Sequence, residues 1–187
     1  MKQSKEWEFL SPSSTLLEFA NVVAAPTGSL TLDLACGFGR NAVLMAAHGC
    51  NVIGVDQDLL RLHKLEISKS ELLERCPLPN PGGTIRTVCA KITEGSWPFA
   101  PNIFDTIICV HFVFLKLIPC LLWSLRHGGY IYLETFGGQG ENYLDLPHAG
   151  ETRTALGNQV NLIYLREKPA SRKHSGFVSV RALARKN

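Results

Sequence analysis

The sequence predicts a doubly wound α/β fold, a mostly parallel sheet with helices on both faces. Three observations carry that expectation. Short apolar runs suited to strands alternate with amphipathic helical runs between Ser29 and Phe136. A glycine turn, Gly37-x-Gly39-x-x-Ala42, joins the first of these strands to the helix after it. The run Phe104 to Val110 is almost continuously apolar, as expected of a strand covered on both faces.

The elements follow in order. Ser11 to Ala25 reads as a helix, with Leu16, Leu17, Phe19, Ala20 and Val23 on its apolar face and serines placed to cap it. Ser29 to Ala35 is a strand, and Arg40 to His48 a helix ended by Gly49. Asn51 to Val55 is a second strand. Asp58 to Arg75 is a longer amphipathic helix, with Leu59, Leu62, Leu65, Leu72 and Leu73 spaced for burial. Pro77 to Gly83 reads as a long connection, Thr84 to Cys89 as a third strand and Phe104 to Val110 as a fourth. The crossover Ala90 to Ile103 holds a glycine and two prolines with little periodicity, so its helix is expected to be reduced or missing. Pro119 to Arg126 is a short helix and Tyr130 to Phe136 a fifth strand. Glu151 to Leu156 is a short helix. Val160 to Arg166 and Phe177 to Ala184 then form an antiparallel hairpin at the sheet edge, which brings the count to seven strands.

Size and composition fit one domain spanning residues 1–187, long enough to bury a sizeable core. The net charge of +3 is too small to imply a nucleic-acid partner. No apolar run approaches the roughly 20 residues of a membrane helix. The nearest, Ile103 to Cys120, is interrupted by Asp105, His111, Lys116 and Pro119. The N-terminus, MKQSKEWEFL, has no apolar core of the signal-peptide type, which points to the cytoplasm. The six cysteines form no CxxC pair, and no histidine cluster has metal-ligand spacing, so no metal is expected. Cys89 and Cys109 sit in apolar β-type runs, where a thiol behaves as a small hydrophobe.

The informative stretch is LDLACGFGRNAVLMAAHGCNVIGVDQD, from Leu32 to Asp58. Glycine lets the backbone turn sharply and approach a ligand, and the helix starting at Arg40 offers unpaired N–H groups. Asp56 ends the second strand, where a carboxylate can accept the ribose hydroxyls of an adenosine. That serves NAD and S-adenosylmethionine alike. Asp33, at the end of the first strand, discriminates between them. A carboxylate beside the glycine loop repels a pyrophosphate but suits a ligand carrying an ammonium and a sulfonium. A bare tight turn and a capping aspartate are the structural alternatives.

These residues resemble a known family. DLACGFGRNA followed by GVDQD is similar to the first two motifs of the class I S-adenosylmethionine-dependent methyltransferases, in the flavour of small tellurite-resistance-type members. FDTIICVHFVF resembles their fourth-strand motif, LRHGGYIYLETF their fifth strand with the turn before it, and PHAGETRTAL a segment that often precedes the final hairpin. The resemblance runs from about Ser11 to the C-terminus. It implies a Rossmann-like seven-stranded sheet whose last strand is antiparallel, with S-adenosyl-L-methionine as cofactor. Asp33, Ala35, Gly37 and Gly39 would line the methionine end, Asp56 would hold the ribose and Gln57 would lie beside the adenine. Lys91 and Ile92 would flank the adenine, and Val110 would offer backbone to the cofactor. Many relatives carry an acid where Ala90-Lys91 stands here, and a lysine cannot accept from the adenine amino group.

Methyl transfer is a direct displacement that needs positioning more than catalytic machinery. His111, after the fourth strand, could act as base or orient an acceptor, or could be a strand-end histidine bonded to backbone. Glu134 and Thr135 end the fifth strand. The loop Gly137 to Tyr143 is a candidate substrate cover, and Tyr143 and His148 are further candidates. Arg40 is placed to pair with the cofactor carboxylate or with Asp33. The basic run Arg166 to His174 is interrupted by Glu167 and has no interleaved aromatics, which disfavours nucleic acid. The leading expectation is a methyltransferase acting on a small-molecule acceptor. An NAD-dependent oxidoreductase is one alternative, and a non-catalytic cofactor-binding relative acting through a partner is another. The scarcity of insertion between Cys89 and Phe104 leaves room for an open acceptor site, a partner's cover or a homodimer.

Overall fold

The computed structural model describes residues 11–24, 26–74, 76, 82–112, 114–135, 146–170 and 176–187. The seven strands, β1 (Leu30–Leu34), β2 (Asn51–Asp56), β3 (Thr84–Cys89), β4 (Phe104–Val110), β5 (Leu125–Glu134), β6 (Val160–Pro169) and β7 (Val178–Lys186), have the order β3-β2-β1-β4-β5-β7-β6. The chain falls into two compact units that meet in sequence at Lys91 and Ile92.

In the first unit, helix α1 (Ser14–Val23) is capped by Ser13, whose hydroxyl accepts from the N–H of Leu16 at 3.3 Å. It buries Leu16, Ala20 and Val23 but leaves Leu17 exposed and Phe19 half-buried, a narrower stripe than the sequence suggests. Strand β1 (Leu30–Leu34) leads through the glycine turn into α2 (Arg40–Ala47). Strand β2 (Asn51–Asp56) pairs in parallel with β1, from Leu30 opposite Asn51 to Leu34 opposite Val55. Helix α3 (Leu59–Glu74) buries Leu62, Leu65 and Leu72. Leu59 is 66% exposed and Leu73 only half-buried, so two of the five leucines expected inside are not. The buried three repeat at three- and seven-residue intervals, the narrow seam of a helix lying along a sheet.

Strand β3 (Thr84–Cys89) pairs in parallel with β2 and stands at the sheet edge. That position corrects the reading of Cys89 as a buried hydrophobe. Its thiol is exposed, because an edge strand has a neighbour on one side only and little covers its carboxyl end. Cys109, in the doubly covered β4, is fully buried as expected.

The second unit opens with the crossover expected to be short, and only one 3₁₀ turn, Glu94–Ser96, forms there. Strand β4 (Phe104–Val110) is followed by helix α4 (Ile118–Ser124) and strand β5 (Leu125–Glu134). The strand starts earlier than its apolar run. Leu125 already pairs with Phe104, residues 126–129 bulge out, and pairing resumes at Thr106 opposite Tyr130. The glycine pair read as a turn sits in this bulge, with Gly128 at φ +76°. Helix α5 (Glu151–Leu156) precedes the hairpin of β6 (Val160–Pro169) and β7 (Val178–Lys186). Strand β7 runs antiparallel to both β5 and β6. Both hairpin strands extend beyond the predicted ends, since main-chain pairing does not require apolar side chains. Ile107, Ile108, Tyr132, Leu133, Ala182 and Leu183 form the core of this unit.

Candidate functional site

The first unit gathers the glycine loop and both acids. Asp33 leaves β1 one residue before its end and is 2% exposed. Ala35 then takes φ +58°, a left-handed backbone that a non-glycine residue adopts at a cost. Gly37 follows at φ +57°, and its N–H donates to Asp56 Oδ2 at 2.8 Å. Asp56 Oδ1 accepts from the N–H of Asp58 at 2.9 Å. The carboxylate at the end of β2 thus ties the loop to the strand, while each oxygen keeps a second lone pair for a ligand. Gly39 caps α2 at φ +80°, and its N–H donates to the carbonyl of Cys36 at 2.9 Å. A Cβ there would run into Cδ1 of Leu65 and lie 2.7 Å from Cδ2, so only glycine lets α3 pack beneath the loop. Phe38 at the tip lies under the cations of Arg61 and Lys64, at 5.7 and 5.6 Å.

Burial pushes the Asp33 carboxyl up to about 7. The backbone N–H of Ala42 and the charge of Arg40 pull it down, and the Asp56 carboxylate pushes it up again. Asp33 Oδ2 has no hydrogen-bond partner among the described residues. A buried, partnerless carboxylate oxygen is costly unless something answers it, and a cation is the strongest answer. Arg40 acts on Asp33 through its charge while its guanidinium donates to the Ser11 carbonyl at 3.4 Å. Burial, with Asp33 and Asp56 adding to it, pushes the Cys36 thiol up, so this loop cysteine is no nucleophile. Gln57 and Lys91 are exposed at the ends of their strands. The N–H of Ala90 donates to the Asp56 carbonyl at 2.9 Å, which sets the course of the chain into Lys91.

Ile92 and Val110 belong to the second unit, where both are buried. His111 follows Val110 at φ +57°, with its N–H on the Glu134 carbonyl at 2.7 Å. Its Nε2 is 3.8 Å from Glu134 Oε1. Glu134 is buried and accepts from the Tyr132 hydroxyl at 2.7 Å and from Arg181 Nε at 3.1 Å. Thr135 takes the Val180 N–H on its hydroxyl at 2.8 Å. A cleft of about 260 Å³ opens at these strand ends, lined by His111, Glu134, Thr135 and three cations, Arg166, Lys168 and Arg181.

Sequence reasoning named His111, Glu134 and Thr135 but missed Tyr132 and Arg181. It placed Arg166 and Lys168 only in a basic run, with no link to the strand ends of β4 and β5. The signal lay in the hairpin: pairing β6 with β7 sets Arg166 opposite Arg181 and Lys168 opposite Ser179, on one face. His148 does not line the cleft. Its ring stacks on Phe177 at 4.3 Å and its N–H donates to Glu151 Oε2 at 2.7 Å. Tyr143 and the loop Gly137 to Tyr143 lie outside the described residues, as does the tip of the hairpin, 171–175.

A mostly parallel sheet with its next-to-edge strand reversed, and a glycine loop between two strand-end acids, define an α/β cofactor-binding class. Residues 32–132, more than half of the chain, match the family model described as a methyltransferase domain. The chain belongs to that family and is an S-adenosylmethionine-dependent methyltransferase. Solved structures agree at the level of the fold. TehB from Haemophilus influenzae is 20% identical with a TM-score of 0.67, over 98% of this chain and 65% of that one. A SAM-dependent methyltransferase from Methanosarcina mazei is 18% identical with a TM-score of 0.62, over 94% of this chain and 98% of that one. Magnesium protoporphyrin IX methyltransferase from Synechocystis PCC 6803, solved with bound SAM, is 14% identical with a TM-score of 0.63, over 97% and 80%. No protein of curated function matches this chain.

Proposed function

We propose that this methyltransferase acts on a small-molecule acceptor, with the cofactor held by the glycine loop and the acceptor met at the carboxyl ends of β4 and β5. The carrying observation is the buried, partnerless Oδ2 of Asp33. An ammonium on the cofactor's methionine end answers it, whereas the pyrophosphate of a dinucleotide would be repelled. Ala35, Gly37 and Gly39 keep side chains out of the way of that end, and Arg40 would meet its carboxylate. Asp56 has lone pairs left for the ribose hydroxyls. Gln57, Lys91, Ile92 and Val110 would border the adenosine.

The cofactor supplies an activated methyl group on a sulfonium that is already a good leaving group. The protein's remaining tasks are to aim a nucleophile and to exclude water. His111 is the candidate base. If its ring takes the acceptor's proton, the imidazolium formed lies near the Glu134 carboxylate, which favours that charge. The Tyr132 hydroxyl and Arg181 hold Glu134 in place for this role. Residues 1–187 would work as one domain. Among the described residues no helix is long and apolar enough to cross a membrane. All six cysteines are free thiols, which supports a cytoplasmic, reducing setting.

Calorimetric titration with S-adenosylhomocysteine tests this reading, with NADH and the Asp33→Ala variant as controls. Binding of S-adenosylhomocysteine alone, weakened about tenfold or more in the variant, is the expected outcome, because the lost contact is charge-assisted. NADH binding, or a variant that binds as tightly as the parent, overturns the role of Asp33.

A further inference from the structure

We propose that the cleft between β4, β5 and the terminal hairpin is an anion-binding subsite, and that the acceptor carries a carboxylate or phosphate group seated between Arg166, Lys168 and Arg181. This rests on the proposal above that the acceptor is small and is met at these strand ends.

Among the described residues, three cations line the cleft against one carboxylate, that of Glu134. Their arrangement is mildly unfavourable without a ligand, because Arg166 and Lys168 are exposed and water screens them only in part. Arg166 and Arg181 are direct register partners across the antiparallel pair, and like charges placed opposite each other repel. Arg181 has an answer in Glu134, with Nε 3.1 Å from Oε1. Arg166 and Lys168 have no acidic partner among the described residues. Glu167 does not supply one. It lies between them in sequence, so its side chain leaves the opposite face of β6, and its carboxylate accepts from the Gly150 N–H at 3.2 Å.

Two guanidiniums side by side suit a planar or tetrahedral oxyanion, which guanidinium groups bind through paired N–H donors. The Lys168 ammonium adds a point charge on the same face. The cleft of about 260 Å³ is close to the lower size of small-ligand sites, about 300 Å³, so it suits one group of a small acceptor and not a polymer. His111 lines the same cleft. An anionic group fixed by the hairpin would therefore set which atom of the acceptor faces the imidazole.

The test uses the full chain with arginine Nε labelled for NMR and saturated with S-adenosylhomocysteine. It is titrated separately with inorganic phosphate, benzoate and the neutral analogue benzamide. The expected result is saturable shifts of the Arg166 and Arg181 Nε signals with phosphate or benzoate and none with benzamide. Arg166→Gln/Lys168→Gln should weaken the response about tenfold or more, as loss of charge-assisted hydrogen bonds implies. A response to phosphate alone names a phosphate-bearing acceptor, and one to benzoate alone a carboxylate. No saturable shift, an equal response to benzamide, or an unchanged response in the double variant overturns the proposal. Calorimetry with S-adenosylhomocysteine on the same samples separates the two readings. Intact cofactor binding without an anion response sinks the subsite alone, and loss of cofactor binding in the parent chain sinks the assigned loop.

Discussion

On the proposals above, the glycine loop of the first unit and the basic cleft of the second would recognise ligands by opposite means. The loop would work mainly through backbone: positive φ at Ala35, Gly37 and Gly39, a helix N-terminus whose Ala42 N–H meets Asp33, and two acids at neighbouring strand ends. All of it comes from one stretch between Asp33 and Asp56. The cleft works through side chains brought from β5, β6, β7 and the residue after β4. A backbone site tolerates almost no change of residue type where φ is positive or the approach is close. A side-chain site can be rewritten at exposed strand positions with little cost to the fold. On those proposals cofactor binding would be fixed by local geometry, and acceptor choice would rest on positions such as Arg166 and Lys168 that the core does not need.

The largest effect expected from this contrast is at Gly39. Gly39→Val places a β-branched side chain at φ +80° and against the buried Leu65. The left-handed backbone costs about 1–2 kcal/mol and the overpacking about 1–3 kcal/mol more. Thermal unfolding should show a clear drop in Tm, and calorimetry a loss of S-adenosylhomocysteine binding. A variant that melts and binds like the parent would remove the claim that loop geometry dictates the site.

Asp33 should show a smaller effect of the opposite sign on stability. Its carboxyl lies at about 7 in the folded chain and near its ordinary value of 3.8 when unfolded. Between those values the native state holds more protons than the unfolded state, so stability falls as pH rises through that window. Asp33→Asn removes the ionisation and should stabilise the free protein by up to about 4 kcal/mol at pH 8, with little gain at pH 4. Cofactor affinity should move the other way. A cationic ligand favours the ionised carboxylate, so affinity in the parent should fall as pH drops below about 7 and be weak at every pH in the variant. Paired melts at pH 4 and pH 8, with calorimetry across the range, check both signs.

The same contrast explains what was legible in the sequence. The α/β order, the loop and its two acids were readable because each depends on residues close in the chain, and a glycine turn between apolar runs has few alternatives. The cleft was not readable. Arg166 and Arg181 become neighbours only once the hairpin register is set, and that register includes a shift between Leu162 and Tyr164. Burial at the edges was misread for a related reason. Leu59 and Cys89 sit in the right pattern, but whether a neighbour covers them is a tertiary fact. The early start of β5 depends in the same way on pairing across a four-residue bulge, 126–129, which no apolar pattern announces.

The smallest stability effect, and the finest division between the two regions, is expected at His111. Among the described cleft residues it alone shares the loop's backbone signature, with φ +57°, and it also offers a side chain that can move a proton. The two roles are separable. His111→Gly relieves the left-handed backbone and should raise stability by up to about 1 kcal/mol. His111→Asn keeps a residue that tolerates this conformation but removes the base. If the imidazole takes the acceptor's proton, both variants lose about 10²–10⁴-fold in turnover, read as S-adenosylhomocysteine release, while cofactor affinity stays put. If His111 serves only to turn the chain after β4, both variants turn over like the parent, and the gain in Tm for the glycine variant is the whole effect. A loss in both would mean that the strained residue after β4 is kept for its ring and not for its turn, since glycine would make the same turn at lower cost.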